Sequence, residues 1–435
     1  MSSMVGGEDD NEEFILLAIP DVHGSFRGKA LRPAAFDAAV RKGTVMTDLL
    51  LGLDPTDTPI TDYEHFGIRT GAADLLVTPD VETLHELAWR PGWKICLATP
   101  TWPDGGPCDL ASREVFRSVV DDVGSIGYEV LAAIEYEVRI WDEHDTPMSS
   151  GISYSLHEIG RFDRFVDQLV RGLEGLGVEL SAVHTEAGPG LLELNLAPGR
   201  GLASADNAAL AKFATKQVAA SMGLRASFLA KTMPGEEGSS GHVHLSCWEG
   251  KTNAFAGAAS HDPLPDPLSS AIAGVLEHLP GASLVLNPTI NSYKRLVPGW
   301  FAPINATWGY ENRSCAVRAI RSARPELWRF ECRRPGADAN PYLALAAIAA
   351  SAADGIRREA PLPDPVEGDA YARDDLPELP GSLEAAIAAF AEDDALRQAL
   401  GKGFSEYYVT SRAWELKAWR ETVTDWERDR YDRSV

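Results

Sequence analysis

Arg329-Phe330-Glu331-Cys332-Arg333 alternates charged and apolar side chains. On an extended backbone, Arg329, Glu331 and Arg333 share one face, and Phe330 and Cys332 share the other. Asn340-Pro341 follows, and it reads as a helix start: Asn caps free amides and Pro suits the first helical position. The helix it opens is Ala-rich from Ala344 to Ala353, which predicts a buried support behind a charged strand face. A single strand of this kind, taken alone, reads more readily as a solvated edge strand with an ion-pair ladder. Recurrence of the pattern weighs against that reading.

Three further strands carry polar groups at i, i+2. Glu135-Tyr136-Glu137 puts two carboxylates on one face. Glu193-Leu194-Asn195 puts a carboxylate and an amide on one face, between Leu192 and Leu196. His242-Val243-His244-Leu245-Ser246 puts three polar groups on one face and two apolar ones on the other. Four such strands suggest a sheet whose concave side is a polar site. Carboxylates gathered there need cations to stay ionised together. Glu and His are natural ligands for hard divalent ions such as Mg²⁺ or Mn²⁺. The arginines suit phosphate or carboxylate, which they grip with two parallel hydrogen bonds. With the Gly-rich approach from Gly235 to Gly241, the set points to phosphoryl transfer from a nucleotide. Taken singly, each element has a plainer reading. Glu135 and Glu137 fit an exposed strand face, and one histidine is more often structural than a ligand. The glycines make neither a Walker loop nor a Rossmann fingerprint.

A chain of 435 residues holds one large or two unequal domains. With 40 basic and 64 acidic residues, the net charge is −24. That balance argues against nucleic acid and acidic membrane as partners, since both demand positive charge. Five cysteines without a CxxC pair suit a reducing, cytoplasmic setting. Met1 to Glu13 is acidic and polar and is expected to be disordered, with neither the basic start nor the apolar run of a secretion signal. No membrane-spanning run is expected; the most apolar helix, Pro341 to Ile356, is interrupted by Ser351 and Asp354.

Along the chain, strands are expected at Phe14 to Pro20, Thr44 to Leu53, Asp74 to Val77 and Lys94 to Ala98. They surround one helix, Pro33 to Arg41, with turns or loops over Asp21 to Lys29 and Asp54 to Gly71. This is a small α+β domain, 14–105, ending at a Pro/Gly-rich linker, Pro100 to Pro107. A larger part, 110–435, alternates helices with strands. Its helices are expected from Ser112 (as cap) to Val123, Arg161 to Leu176 and Ala205 to Met222. Its strands are Tyr128 to Trp141, Val178 to His184, Leu191 to Leu196, Arg225 to Lys231 and His242 to Trp248. A Pro-rich surface excursion spans Pro361 to Pro380, and two amphipathic helices, Leu383 to Leu400 and Ser405 to Arg428, close the chain.

At these residues the sequence resembles the glutamine synthetase family, type I-like branch. The matching segments run in the family's order. They are Glu135-Tyr136-Glu137, His184-Thr185-Glu186 with Gly188-Pro189-Gly190 and Glu193, and Lys231 through Gly238 to Ser246. Next come the highly specific block from Asn287 to Gly299, Asn312-Arg313-Ser314 with Arg318, and Arg329 to Leu343. The resemblance implies an α+β fold: a small β-grasp-like N-terminal domain and a large catalytic domain with a curved antiparallel sheet flanked by helices. It implies a homo-oligomer, a dodecamer of two hexameric rings, in which one subunit's N-terminal domain completes its neighbour's site. It implies that Glu137, Glu186 and Glu193 hold one metal, and Glu135, His242 and Glu331 the other, at least two Mg²⁺ or Mn²⁺ per site. Arg295 and Arg333 would grip glutamate's carboxylate, and Gly238 would bind glutamate through its backbone. Arg313 and Arg318 would neutralise phosphate, and His244, Ser246 and Arg329 would face ATP. The implied chemistry is phosphorylation of glutamate's γ-carboxylate by ATP, then displacement of phosphate by an amine.

The sequence departs from the family pattern in places. After Pro298-Gly299, ammonia-using members carry an aromatic residue and a glutamate that takes a proton from ammonium; here Trp300-Phe301 stands. Glu237 replaces an asparagine of the glutamate-binding loop, and Glu326 a lysine near the nucleotide. Asp54 and Asp57 both lie in the loop that supplies a carboxylate for the amine, and either fits. Phe301 predicts a larger organic amine of the polyamine, ethanolamide or anilide type. The alternatives are glutamine synthesis from ammonia, or an assembly protein without catalysis, which predicts broken metal ligands.

Overall fold

The computed structural model describes residues 13–257, 259 and 263–435; the expectation for the N-terminal tail falls almost wholly outside them. The N-terminal part contains β1 (Phe14–Pro20), β2 (Phe26–Leu31), α1 (Pro33–Lys42), β3 (Thr44–Thr47), β4 (Asp74–Pro79), β5 (His85–Glu86) and β6 (Trp93–Thr101). Their sheet runs β2-β1-β6-β4-β3, with β5 on β6, and β1 pairs parallel with the later β6. Two expectations are corrected here. The stretch read as a turn continues into β2, an edge strand. The strand expected from Thr44 to Leu53 stops at Thr47, whose hydroxyl caps a 3₁₀ turn, Asp48–Gly52. The Pro100 to Pro107 stretch is the end of β6 and a tight turn, with Thr101 bridged to Pro107.

The larger part begins with α2 (Ser112–Ser125), β7 (Glu129–Trp141), α3 (Leu156–Ile159), α4 (Asp163–Gly175), β8 (Leu180–Thr185), β9 (Leu191–Leu196), β10 (Gly199–Arg200) and α5 (Leu202–Ser221). It continues with β11 (Arg225–Ser227), β12 (Gly241–Glu249), β13 (Thr252–Asn253), α6 (Asp266–Leu286), β14 (Trp308–Tyr310), β15 (Val317–Ile320), β16 (Arg329–Cys332) and α7 (Pro341–Arg357). It closes with α8 (Leu383–Glu392), α9 (Asp394–Ala399), α10 (Lys402–Glu421) and α11 (Asp425–Tyr431).

The main sheet runs β14-β15-β16-β12-β7-β9-β8. It is antiparallel except at β14–β15, which pair parallel. The four strands singled out in the sequence, β16, β12, β7 and β9, are consecutive neighbours. Their apolar faces, including Val243, Leu245, Ile134, Tyr136, Leu194 and Phe330, join one core with α2, α5, α6 and α7. Helix α7 starts as expected: Asn340 Oδ1 accepts from Tyr342 N at 3.0 Å, and Pro341 fills the first turn. Helices α6 and α7 touch backbone to backbone. A methyl at Gly274 would meet Ser351 O at 2.2 Å, and one at Gly355 would meet Ser270 O at 2.1 Å.

Several boundaries differ. Ser112 does not cap α2; its hydroxyl reaches Pro20 O and Asp21 O, both at 3.3 Å, and so ties α2 to the end of β1. Helix α6 lies where no element was expected. By length and composition it is apolar enough to cross a membrane, but it is the mostly buried core helix of this fold. The two closing helices are four. Asp393 caps α9, and Thr424 with Glu427 forms a capping box at α11.

Candidate functional site

The polar faces of β16, β12, β7 and β9 floor a cavity of about 560 Å³. Strand register sets its chemistry. Glu135 lies opposite His242, Glu137 opposite Glu193, His184 opposite Glu193, and both His244 and Arg318 opposite Glu331.

Two acidic clusters result. In the first, Glu135, His242 and Glu331 present ligand atoms within 4.8 Å of one another. His242 Nδ1 lies 3.4 Å from Glu331 and 3.9 Å from Glu135. Burial, with Arg333 beside it, pushes His242 down to about 3, so its imidazole is neutral and fit to be a ligand. Burial opposes charge on Glu331, yet the guanidinium of Arg333, with that of Arg318, holds its carboxyl well below the usual range. Glu135 is held down to about 2: burial works against its charge, and His244 more than offsets it. Arg329 Nε donates to His244 Nδ1 at 2.9 Å, and His244 Nε2 sits 3.0 Å from Glu135.

In the second cluster, His184 lies 3.3 Å from Glu186 and 3.0 Å from Glu193. Glu137 stands beside it and accepts from Ser240 N at 2.7 Å. Loss of hydration, then the charges of Glu193 and Glu186, push Glu137 up to about 8. Carboxylates crowded this closely repel one another, and a divalent cation would relieve that repulsion. The all-oxygen and imidazole donors of both clusters fit hard divalent ions. His184 was quoted in the sequence only within a matching segment. Its i, i+2 spacing from Glu186 was the signal that could have singled it out.

Around the clusters stand Arg295, Arg313, Arg318 and Arg333. Arg295 is fully buried and donates to Ser240 Oγ at 3.0 Å, to Asn287 Oδ1 at 3.4 Å and to Arg334 O. Arg333 donates to Arg313 O at 3.1 Å and to Glu331. Arg318 bridges Glu331 and Glu311. Gly238 lies against Arg295, and a methyl there would meet Arg295 Cγ at 2.4 Å and Ala230 O at 2.5 Å. Arg139, fully buried, fixes the adjoining loop through Glu237 O at 2.6 Å and Pro189 O at 2.6 Å.

The mouth is aromatic. Phe301 is 54% exposed and Tyr154 68% exposed, and both line the cavity with Trp300. Both Phe301 and Tyr154 have φ of 52°, a left-handed backbone unusual for aromatic residues. Tyr154 stacks on His184 with ring centroids 4.2 Å apart. Lys231 lies over Trp300 at 4.1 Å.

Other expected residues lie apart. His244 and Arg329 form their pair behind Glu135 and do not line this cavity. Ser246 accepts from Trp248 Nε1 at 3.0 Å. Glu326 is an exposed partner of Arg324. Asp54 closes its own turn by accepting from Thr56 N and Thr58 N, both at 2.8 Å, and Asp57 pairs with Arg27 at 2.5 Å. Neither aspartate lines the cavity of its own chain.

Residues 109–431 match the glutamine synthetase catalytic domain. A glutamate–isopropylamine ligase from a Pseudomonas species is 32% identical, over 98% of this chain and 96% of that one. A gamma-glutamylethanolamide synthetase from Streptomyces coelicolor is 31% identical, over 95% and 91%. A glutamine synthetase from Thermus thermophilus is 32% identical, over 97% and 96%. Among solved structures, apo GmaS without ligand superposes with a TM-score of 0.85 at 27% identity, covering 98% of each chain.

Proposed function

Because the chain belongs to the glutamine synthetase family, an ATP-dependent glutamate ligase by type, we propose that it joins the γ-carboxylate of glutamate to an organic amine. A carboxylate is a poor acyl donor until one oxygen becomes a phosphate leaving group. ATP supplies that phosphate, and the amine then displaces it. Glu135, His242 and Glu331, and Glu137, Glu186 and Glu193 with His184 beside them, would hold Mg²⁺ or Mn²⁺. When bound, such ions neutralise phosphate oxygens and orient them. Arg313 and Arg318 add fixed positive charge where the transferred phosphoryl develops negative charge. Arg295 and Arg333 receive the α-carboxylate of glutamate, and Gly238 lets the backbone approach it.

The observation that carries the choice of amine is Phe301. At the cavity mouth it offers carbon in place of a carboxylate, and Tyr154 and Trp300 extend that apolar rim. An ammonium ion has no apolar surface to bury against such a rim, whereas an alkyl or aryl substituent does. Two relatives named for organic amines support this reading.

Glutamine formation is the second reading. Glu237 lines the same cavity with its carboxyl raised by burial, a proton acceptor for ammonium that needs no flap glutamate. Within either reading, one aspartate of the loop, Asp54 or Asp57, acts on the amine from a neighbouring subunit in a ring. The deciding experiment is phosphate release from ATP with glutamate and Mg²⁺, comparing ammonium with isopropylamine, ethanolamine, putrescine, spermidine and aniline-type amines. Release confined to organic amines supports the first reading; strong release with ammonium alone selects glutamine synthesis.

A further inference from the structure

Behind Arg295 lies a buried group that the reaction chemistry leaves unused. Lys212, enclosed within α5, donates to Ala337 O at 2.8 Å and Ala339 O at 3.1 Å. These carbonyls flank Asp338. One oxygen of Asp338 accepts from Thr289 Oγ1 at 3.0 Å and from Ser292 Oγ at 2.6 Å. Thr289 and Ser292 belong to the turn that leads directly into Arg295. The other oxygen, Oδ1, is buried without a hydrogen-bond partner, and so is Arg295 Nε. Both atoms flank Gly336: a methyl there would meet Asp338 Oδ1 at 2.4 Å and Arg295 Nε at 3.6 Å.

The hydrogen bonds of Arg295 all go to neutral oxygens, on Ser240, Asn287 and Arg334. A buried guanidinium satisfied only by neutral acceptors carries a large desolvation cost unless a counter-charge lies near. Glu137 and Asp338 are the carboxylates whose charge it feels. Burial raises the carboxyl of Asp338, while Ser292, Thr289, Lys212 and Arg295 pull against that rise. Asp338 sits close enough to stabilise Arg295 and does not occupy its donors, so the guanidinium stays in place with its charge available.

We propose that Asp338 is a positioning residue for Arg295, clamped in place by Lys212, Thr289 and Ser292, and that it sets the affinity for the substrate carboxylate. This rests on the reading of Arg295 as a glutamate-binding residue. Lys212 acts through the backbone carbonyls beside Asp338, so its contribution is smaller.

The test uses the full-length enzyme with its best amine and reads KM for glutamate, KM for ATP, kcat and the preference for L- over D-glutamate. Asp338→Asn is expected to raise KM for glutamate about tenfold, with KM for ATP unchanged, kcat within about threefold and weakened L/D preference. Lys212→Met is expected to raise KM for glutamate about threefold. Should Asp338→Asn fail to fold, the Thr289→Val/Ser292→Ala double variant frees the same carboxylate and is expected to raise KM for glutamate likewise. Arg295→Lys serves as the control. If it raises KM for glutamate while the Asp338 and Lys212 variants leave it within twofold, the inference is overturned alone. If Arg295→Lys also leaves it unchanged, the reading of Arg295 falls and the inference with it. A loss of kcat at constant KM marks a merely structural role and likewise overturns it.

Discussion

Arg329 donates its Nε hydrogen to His244 Nδ1 at 2.9 Å, and His244 Nε2 lies 3.0 Å from Glu135. One arginine therefore orients the imidazole that stands against a carboxylate of the first cluster. Arg329→Met should weaken Mn²⁺ binding about tenfold in a titration without nucleotide. Unchanged Mn²⁺ affinity would assign Arg329 to the nucleotide alone.

Glu137 makes metal-free stability depend on pH. Its folded value, about 8, lies above the ordinary 4.5, so the folded state holds a proton that the unfolded state releases. Stability then falls as pH rises from about 4.5 to about 8, by at most about 1.4 kcal/mol per pH unit. Melting scans of metal-free protein should show this slope. Mg²⁺ should remove it, and Glu137→Gln should flatten it while abolishing turnover.

His278 on α6 lies 2.9 Å from Asp354 of α7 and 2.9 Å from Asp393, the cap of α9. Burial opposes its charge, but the two aspartates raise it to about 9. The folded value exceeds the ordinary 6.5, so the stabilisation is complete below about 6.5 and is lost as pH passes about 9. His278→Gln should lower the melting temperature at pH 6 and converge with wild type near pH 10, with kcat unaffected.

Gly238→Ala should cut kcat/KM for glutamate by at least about a hundredfold, because the methyl would displace Arg295 or the Ala230 carbonyl. Far-ultraviolet circular dichroism should remain unchanged. Near-normal activity in this variant would remove Gly238 from the glutamate site.

Phe301→Glu should shift preference toward ammonium, and Tyr154→Ala should raise KM for an organic amine several-fold while leaving KM for glutamate in place. An unaltered amine profile in both variants would mean that the aromatic rim does not select the amine.

The charged strands were legible because each alternates cleanly, and β16, β12, β7 and β9 proved to be neighbours. What escaped reading lacked a period. Edge strand β2, Phe-Arg-Gly-Lys-Ala-Leu, shows only a weak apolar signal, with Gly and Ala on its uncharged face, and none of its residues is buried. Helix α6 is apolar on nearly every side because it is buried on nearly every side. Asp393 and Thr424 broke two expected helices by capping new ones. Among site residues, Asp54 and Asp57 are legible only through a resemblance that presumes a second subunit. Tyr154 and Asp338 owe their roles to partners distant in sequence, which no local pattern encodes.

Glu135 and Glu137 stand two residues apart on β7, and each serves a different cluster. Two residues of strand advance about 6.7 Å. The spacing between the two clusters is therefore a property of the backbone repeat rather than of any side chain. Strand β7 acts as a ruler: loops and rim residues are free to diverge while the distance between the two clusters stays constant. Insertion of a single residue between the two glutamates would turn one of them into the core, so this segment tolerates substitution of its neighbours far better than a change of length.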